Sequence, residues 1–328
     1  MPGLKLSIVL CTYNGERFLS PQLDSLLSQR RLPDEIVISD DASGDGTVAM
    51  LTAFAEQARR RGIDVQLDVR PRNVGYVPNF IESMRAARGD LLFLCDQDDV
   101  WHPDKLAVIA ERFEMEPSLL LLGSDAKLVD AEGADLQVSL FEALELTPAE
   151  LQAVHGGRAF DVLLRRSMIT GATAALRKEL VERLPPVGTG WIHDEWLAAI
   201  AAMSGGVDVL EQPLIEYRQH GSNAVGMRKR GWRLKWRDLV RPRRQQFERE
   251  LHCTESLQAA LRALEDPGLA EPLRRLAGKR DHFARRVSLG DLARWRRLPV
   301  ILREARSGNY GHYGTGVRSM LRDLLRRD

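Results

Sequence analysis

Apolar residues follow two alternating rhythms along the first hundred positions. Residues 6–11 (LSIVLC), 35–39 (EIVIS) and 90–95 (DLLFLC) are short, nearly continuous apolar runs of strand length, and 63–70 (IDVQLDVR) alternates with period two. Between them, Leu19, Leu23, Leu26 and Leu27 recur at helical spacing, with the helix ending near Arg30–Pro33. Val48, Leu51, Ala55 and Ala58 mark a second helix and 78–87 suits a third. Pro103 opens a fourth, where its missing N–H is harmless. Strand and helix in alternation predict an α/β fold: a mostly parallel sheet with helices on both faces.

Past residue 118 the rhythm loosens. PSLLLLGSD (117–125) reads as one more buried strand, 148–165 as helical, and 167–176 as a strand running into a helix near Arg177. Residues 193–203 place Trp196, Leu197, Ile200 and Ala201 on one helix side, and 207–210 and 213–217 are short strand candidates. From 227 onward the chain becomes Arg-rich and helix-compatible, without strand signals. These shifts predict three segments: 1–115, 116–226 and a basic, mainly helical extension at 227–328.

Composition adds a charge split. The 328 residues carry a formal net charge of only +1. From Met227 onward, however, there are 26 Lys+Arg against 12 Asp+Glu, so an acidic body precedes a basic tail. Three cysteines (Cys11, Cys95, Cys253) give no disulfide framework and fit a reducing compartment. No signal-peptide pattern precedes the first strand, and the longest uncharged stretch, 196–207, is too short to span a bilayer. The expected location is cytoplasmic.

Open parallel sheets bind ligands at the carboxyl ends of their strands. Thr12, Tyr13 and Asn14 follow the first strand, Asp40, Asp41 and Asp45 the second, and Asp96, Asp98 and Asp99 the fourth. Carboxylates gathered this closely raise one another's pKa and cost stability. A cation or a strongly hydrogen-bonding ligand accounts for the cluster. Mg²⁺ or Mn²⁺ takes one or two carboxylates and completes its shell with water and phosphate oxygens.

CTYN (11–14), SDDASGDGT (39–47), NVG (73–75), LFLCDQDDVW (92–101) and HDEW (193–196) together resemble the motif series of family 2 glycosyltransferases with the GT-A fold. DQDDVWHPDKL (96–106) and YRQHGSN (217–223) resemble the bacterial rhamnosyltransferase-like members. The resemblance covers about residues 4–225. It implies a Rossmann-like GT-A domain, a nucleoside-diphosphate-sugar donor and a divalent metal, Mn²⁺ or Mg²⁺. It also implies that Thr12 and Tyr13 shape the base and ribose pocket, with Asn14 and Asn73 in the same donor-binding set. Asp41 would accept from a base N–H. Asp96 and Asp98 form the Asp-x-Asp pair. Asp98, Asp99 and His220 are the implied metal ligands, and which of the three carboxylates ligates the ion stays open. Ala42 stands where many members have glycine, so a slightly different turn is expected there.

By the same resemblance, Asp194 is the base that deprotonates the acceptor hydroxyl, with Glu195 as the adjacent alternative. The implied reaction inverts the anomeric centre while adding a sugar to a cell-surface polysaccharide or lipid-linked glycan. Rhamnose from thymidine diphosphate is the first-choice donor, and a hexose or N-acetylhexosamine on uridine diphosphate its rival. Nucleotidyl transfer is the alternative reaction. It would need a Gly-rich basic loop near the first strand, where CTYNGER offers one Gly and one Arg. A non-catalytic nucleotide-sugar-binding protein is the alternative from another class. In the tail, Trp232, Trp236 and Trp295 lie amid Arg and Lys, which suits peripheral binding to an anionic membrane surface. A solvated appendage is the competing expectation. Nucleic acid is not an expected partner.

Overall fold

A computed structural model describes residues 3–221 and 240–328. Chain contacts divide it into two units. The described residues of Met1–Ala159, Met168–Leu184 and His193–Arg228 form the first, and those of Phe160–Ser167, Pro185–Ile192 and Lys229–Asp328 the second. The sequence boundary at 116 therefore falls inside the first unit. Trp232 and Trp236 lie outside the described residues.

The first unit is built on one sheet. β1 (Leu6–Thr12), β2 (Glu35–Asp40), β3 (Asp64–Val69) and β4 (Leu91–Cys95) run parallel in the order β3-β2-β1-β4. β1, β2 and β4 are buried at every position, because parallel neighbours and covering helices leave neither face wet. Helices α1 (Glu16–Leu27), α2 (Thr47–Arg60) and α3 (Tyr76–Ala86) make the crossovers. A two-residue strand, β5 (Val100–Trp101), follows β4 and precedes α4 (Lys105–Met115). The expected helix near Pro103 starts two residues later, after Asp104.

The sheet then turns mixed. β6 (Leu121–Val129) carries the antiparallel ribbon β7 (Asp135–Ser139), which sequence periodicity did not indicate. The short helices α5 (Leu140–Ala143) and α6 (Pro148–His155) follow, α7 (Ala159–Leu163) belongs from Phe160 on to the second unit, and the chain resumes the first unit ahead of a 3-10 turn at Gly171–Thr173. The strand expected over 167–176 shrinks to β8 (Ala175–Arg177), antiparallel to both β4 and β6, and enters α8 (Lys178–Glu182). α9 (His193–Met203) matches its predicted span. The two short strands expected beyond it are one, β9 (Val207–Arg218), parallel to β6 with a register shift near Asp125 and Pro213 that absorbs the break. β9 also pairs antiparallel with β5.

The second unit is helical. α10 (Arg244–Arg262) packs on α11 (Ala270–Leu289). α12 (Arg294–Arg306), α13 (Asn309–His312) and α14 (Val317–Leu325) gather around Leu289, Ile301 and Tyr310. Within it, buried Asp323 accepts from Arg286 Nε at 2.8 Å and from the Tyr310 hydroxyl at 2.8 Å. That satisfied network lets charged residues sit inside a small helical core. No helix among the described residues is long and apolar enough to cross a membrane.

Candidate active site

The chain leaves β1 towards β2 and β3, then returns to place β4 on the other side of β1. The loops after β1 and β4 therefore diverge, and that split is where a doubly wound sheet opens a crevice. Gln97 spans it. Its Oε1 accepts the Tyr13 N–H at 2.8 Å and its Nε2 donates to the Tyr13 carbonyl at 3.0 Å. Gly15 makes room for this clamp, since a Cβ there would lie 2.5 Å from Gln97 Oε1.

On the β1–β2 side, Thr12 is buried and its hydroxyl donates to Asp40 Oδ2 at 2.8 Å. Ser43 donates to both oxygens of Asp40. Asn14 takes φ 48°, and its Oδ1 accepts the Gly44 N–H at 2.8 Å. Thr12 and Asn14 thus fix the two loops to each other, and Tyr13 between them is 48% exposed. Asp41 is buried. Its oxygens accept the N–H groups of Val74 and Gly75, each at 2.8 Å, while Asn73 donates to the Asp41 carbonyl at 3.2 Å. Each carboxylate oxygen keeps a second lone pair for a ligand. Ala42 adopts the left-handed φ of 65° that glycine would take freely. That conformation carries a local cost of about 1–2 kcal/mol for a residue with a Cβ.

On the β4 side the carboxylates separate by environment. Asp98 Oδ2 meets His220 Nε2 at 2.8 Å, and the His220 ring stacks on Phe18 with centroids 4.4 Å apart. Asp99 is fully buried. Its Oδ1 accepts the Arg218 N–H at 3.0 Å and its Oδ2 has no hydrogen-bond partner among the described residues. Burial first, then the charges of Asp98 and Asp96, push the Asp99 carboxyl well up. Arg218 supports the whole turn, with Nε donating to the Asp98 carbonyl at 2.9 Å. Asp96 is partly exposed. Burial, then Asp98, then Asp194 raise it to about 7, against the pull of Lys105. Asp194 is thus close enough for its charge to register at Asp96.

Asp194 stands in the first turn of α9, 8% exposed. Oδ2 accepts the Gly171 N–H and Oδ1 the Glu195 N–H, each at 2.7 Å. Gly171 permits this approach, because a Cβ there would sit 3.1 Å from His193 Nε2 and 3.4 Å from Asp194 Oδ2. Glu195 is half-buried and contributes its backbone N–H to its neighbour. The structure brings Asp96, Asp98, His220 and Asp194 to one edge of the sheet and turns Asp99 inward.

Four residues of the site carry no role in the sequence reading. Gln97 and Arg218 brace the loops as described. His193 is buried and stacks on Phe80 at 4.3 Å, and neither ring nitrogen has a partner among the described residues. Burial lowers its pKa despite Asp194, so the ring stays neutral. Lys105 is fully buried. Its Nζ donates to the Ala172 carbonyl at 2.9 Å and lies 3.8 Å from the Trp101 ring centroid. Burial lowers it to about 8, with Cys95, Asp99 and Asp96 opposing. All four fall within motif strings in which other residues, the acids or His220, drew the attention, so position within a motif was the signal available. Lys105→Met removes the one hydrogen bond to a buried carbonyl and the cation opposing Asp96 and Asp99. A loss of about 2 kcal/mol is expected in urea unfolding at pH 8. An unchanged midpoint would show that Lys105 balances nothing there.

Asp98 and His220 offer one oxygen and one nitrogen ligand 2.8 Å apart, a pair that could share a cation in place of a proton. No group of three or more His, Cys, Asp or Glu side chains among the described residues forms a closed metal cage. A single oxygen and a single nitrogen donor suit an ion that draws its remaining ligands from water and phosphate oxygens.

A family model described as glycosyl transferase family 2 matches residues 7–184, which holds every strand end of this crevice except that of β9. The chain belongs to glycosyl transferase family 2. Among curated relatives, an uncharacterized glycosyltransferase of Nostoc is 27% identical over 231 residues, covering 67% of this chain and 66% of its own. An uncharacterized Mycobacterium tuberculosis protein is 27% identical over 217 residues, covering 66% of this chain and 59% of its own. The chain thus spans about three-fifths to two-thirds of the length of these relatives. S. aureus TarS 1–349, solved with UDP-GlcNAc, superposes with a TM-score of 0.54 at 16% identity, covering 97% of this chain and 90% of that one. A Pyrobaculum calidifontis mannosyltransferase, solved with GDP-Man and Mn²⁺, gives 0.51 at 19% identity, covering 99% and 86%. At these identities the likeness speaks for the fold alone, which is the expected GT-A fold of the family.

Proposed function

We propose that this family 2 member is a nucleotide-sugar-dependent glycosyltransferase that inverts the anomeric centre. The observation that carries the reading is the convergence of the Asp98–His220 pair, Asp96 and Asp194 at the crevice between β1 and β4. Tyr13 and Asp41 would receive the base and ribose, with Thr12, Asn14 and Asn73 holding the loops that carry them. Asp98 and His220 would hold a divalent ion, Mn²⁺ or Mg²⁺. When bound, that ion supplies electrophilic stabilisation of the leaving diphosphate. Asp99 would act from within, by fixing β9 through Arg218.

Asp194 would take the proton from the acceptor hydroxyl as that oxygen attacks the anomeric carbon. Its two backbone hydrogen bonds fix its orientation and leave a lone pair on each oxygen for the proton. The sugar passes through an oxocarbenium-like transition state, and one displacement inverts the configuration. Rhamnose from thymidine diphosphate is the proposed donor, on the rhamnosyltransferase-like strings 96–106 and 217–223. The proposed acceptor is a cell-surface polysaccharide or lipid-linked glycan.

A thermal-shift panel of nucleotide sugars with Mn²⁺ tests the donor. A ligand at a hundredfold excess over its Kd adds about 2.7 kcal/mol to folding. The thymidine diphosphate sugar is expected to give the largest shift. A larger shift with UDP-GlcNAc would move the assignment to a uridine donor, and no shift with any member would overturn the donor reading. Binding without turnover would favour a non-catalytic binding protein.

A further inference from the structure

We propose that the outer face of α12 docks on an anionic lipid surface. The inner face of this helix is already complete. Ile301 packs with Leu289 and Tyr310, and Val300 and Ala305 lie against that cluster. Arg297 is buried, donating to the backbone carbonyls of Leu292, Arg326 and Asp328. Glu304, also buried, holds His282 and Arg285. Among the described residues, the opposite face is left uncovered.

That opposite face is apolar and cationic. Trp295 is 73% exposed, Leu298 46% and Leu302 42%, and their spacing of three and four puts them in one stripe. Exposed Arg294, Arg296, Arg303 and Arg306 surround the stripe, and the Arg296 guanidinium lies 4.7 Å from the Trp295 ring centroid. None of the four arginines has an ion-pair partner among the described residues, and the only acid of the helix, Glu304, points inward. Scattered exposed apolar residues need no explanation, but an aligned set ringed by cations without an anion does.

The chemistry selects the occupant. A helix of 13 residues with five arginines cannot cross a bilayer. It can lie in the interface, with indole and leucines at headgroup depth and guanidiniums on phosphates. A second copy of this chain is disfavoured, because a two-fold contact would set arginine against arginine. Lipid docking of this face does not depend on the donor assignment.

Vesicle sedimentation of the full chain tests it, using phosphatidylcholine with about one-third phosphatidylglycerol. Binding is expected at low salt, with none to pure phosphatidylcholine and much less at high salt. Arg294→Gln and Arg303→Gln should each weaken partitioning roughly 5-fold. Trp295→Ala combined with Leu298→Ala and Leu302→Ala should weaken it tenfold or more, with an unchanged circular dichroism spectrum. Absence of binding at low salt would overturn the proposal. So would binding that survives the triple variant but disappears in Trp232→Ala with Trp236→Ala. Lipid-free dimerisation abolished by Trp295→Ala would assign the face to a second copy instead.

Discussion

Asp194→Asn is expected to slow transfer by about 10²–10⁴-fold while donor affinity stays within a few-fold of wild type. Asparagine keeps the size of the side chain but has no basic oxygen for the acceptor proton. It also loses one hydrogen bond, since its amide would face either the Gly171 or the Glu195 N–H. That mismatch is expected to cost about 1–3 kcal/mol of stability. The measurement is therefore single-turnover transfer on protein shown to be folded, alongside a donor thermal shift. Glu195→Gln is the control and should transfer within a few-fold of wild type. A normally active Asp194→Asn protein would leave Asp194 only as the brace of the Gly171 turn and move the base to Glu195.

Asp98→Asn should reduce transfer by roughly 10²–10³-fold and raise the Mn²⁺ concentration needed for half-maximal rate. The same substitution should leave stability without ligand equal or higher at pH 8. The sign follows from Asp96, raised to about 7 by burial and then by Asp98 and Asp194. Because the folded chain holds that proton more tightly than the unfolded chain, stability falls as pH climbs from about 4 to about 7 and the loss persists above. Removing the Asp98 charge shrinks the penalty, so the gain should appear at pH 8 and vanish near pH 4. Melting temperatures at the two pH values decide this. Turnover that continues in excess chelator would remove the metal from the reading, whatever the stability result.

The strand ends were legible because burial on both faces forces parallel strands into unbroken apolar runs, and the first polar residues after each run must lie at the carboxyl edge. Tyr13, Asp41, Asp96 and Asp98 were placed at that edge in this way. Residues 135–139 were not, since β7 lies at a sheet margin with its residues exposed or half-exposed and shows no apolar alternation. Residues 207–218 read as two pieces because Glu211, Gln212 and Pro213 interrupt the apolar pattern, and only pairing with β6 carries the strand across them.

Local sequence thus determined the α/β alternation, the acidic edge, the helix that carries Asp194 and the basic character of the tail. Each rests on periodicity or charge within a few tens of residues. Tertiary structure decided which carboxylate meets which partner: Asp98 with His220, 122 positions away, and Asp99 with Arg218, 119 away. It also decided that Gln97 closes on Tyr13, that Gly171 receives Asp194, and that Trp295 faces outward while Arg297, two residues on, is buried. Adjacent acids share one sequence signal, and only the return of distant segments, set by sheet order and side-chain packing, gives them different surroundings.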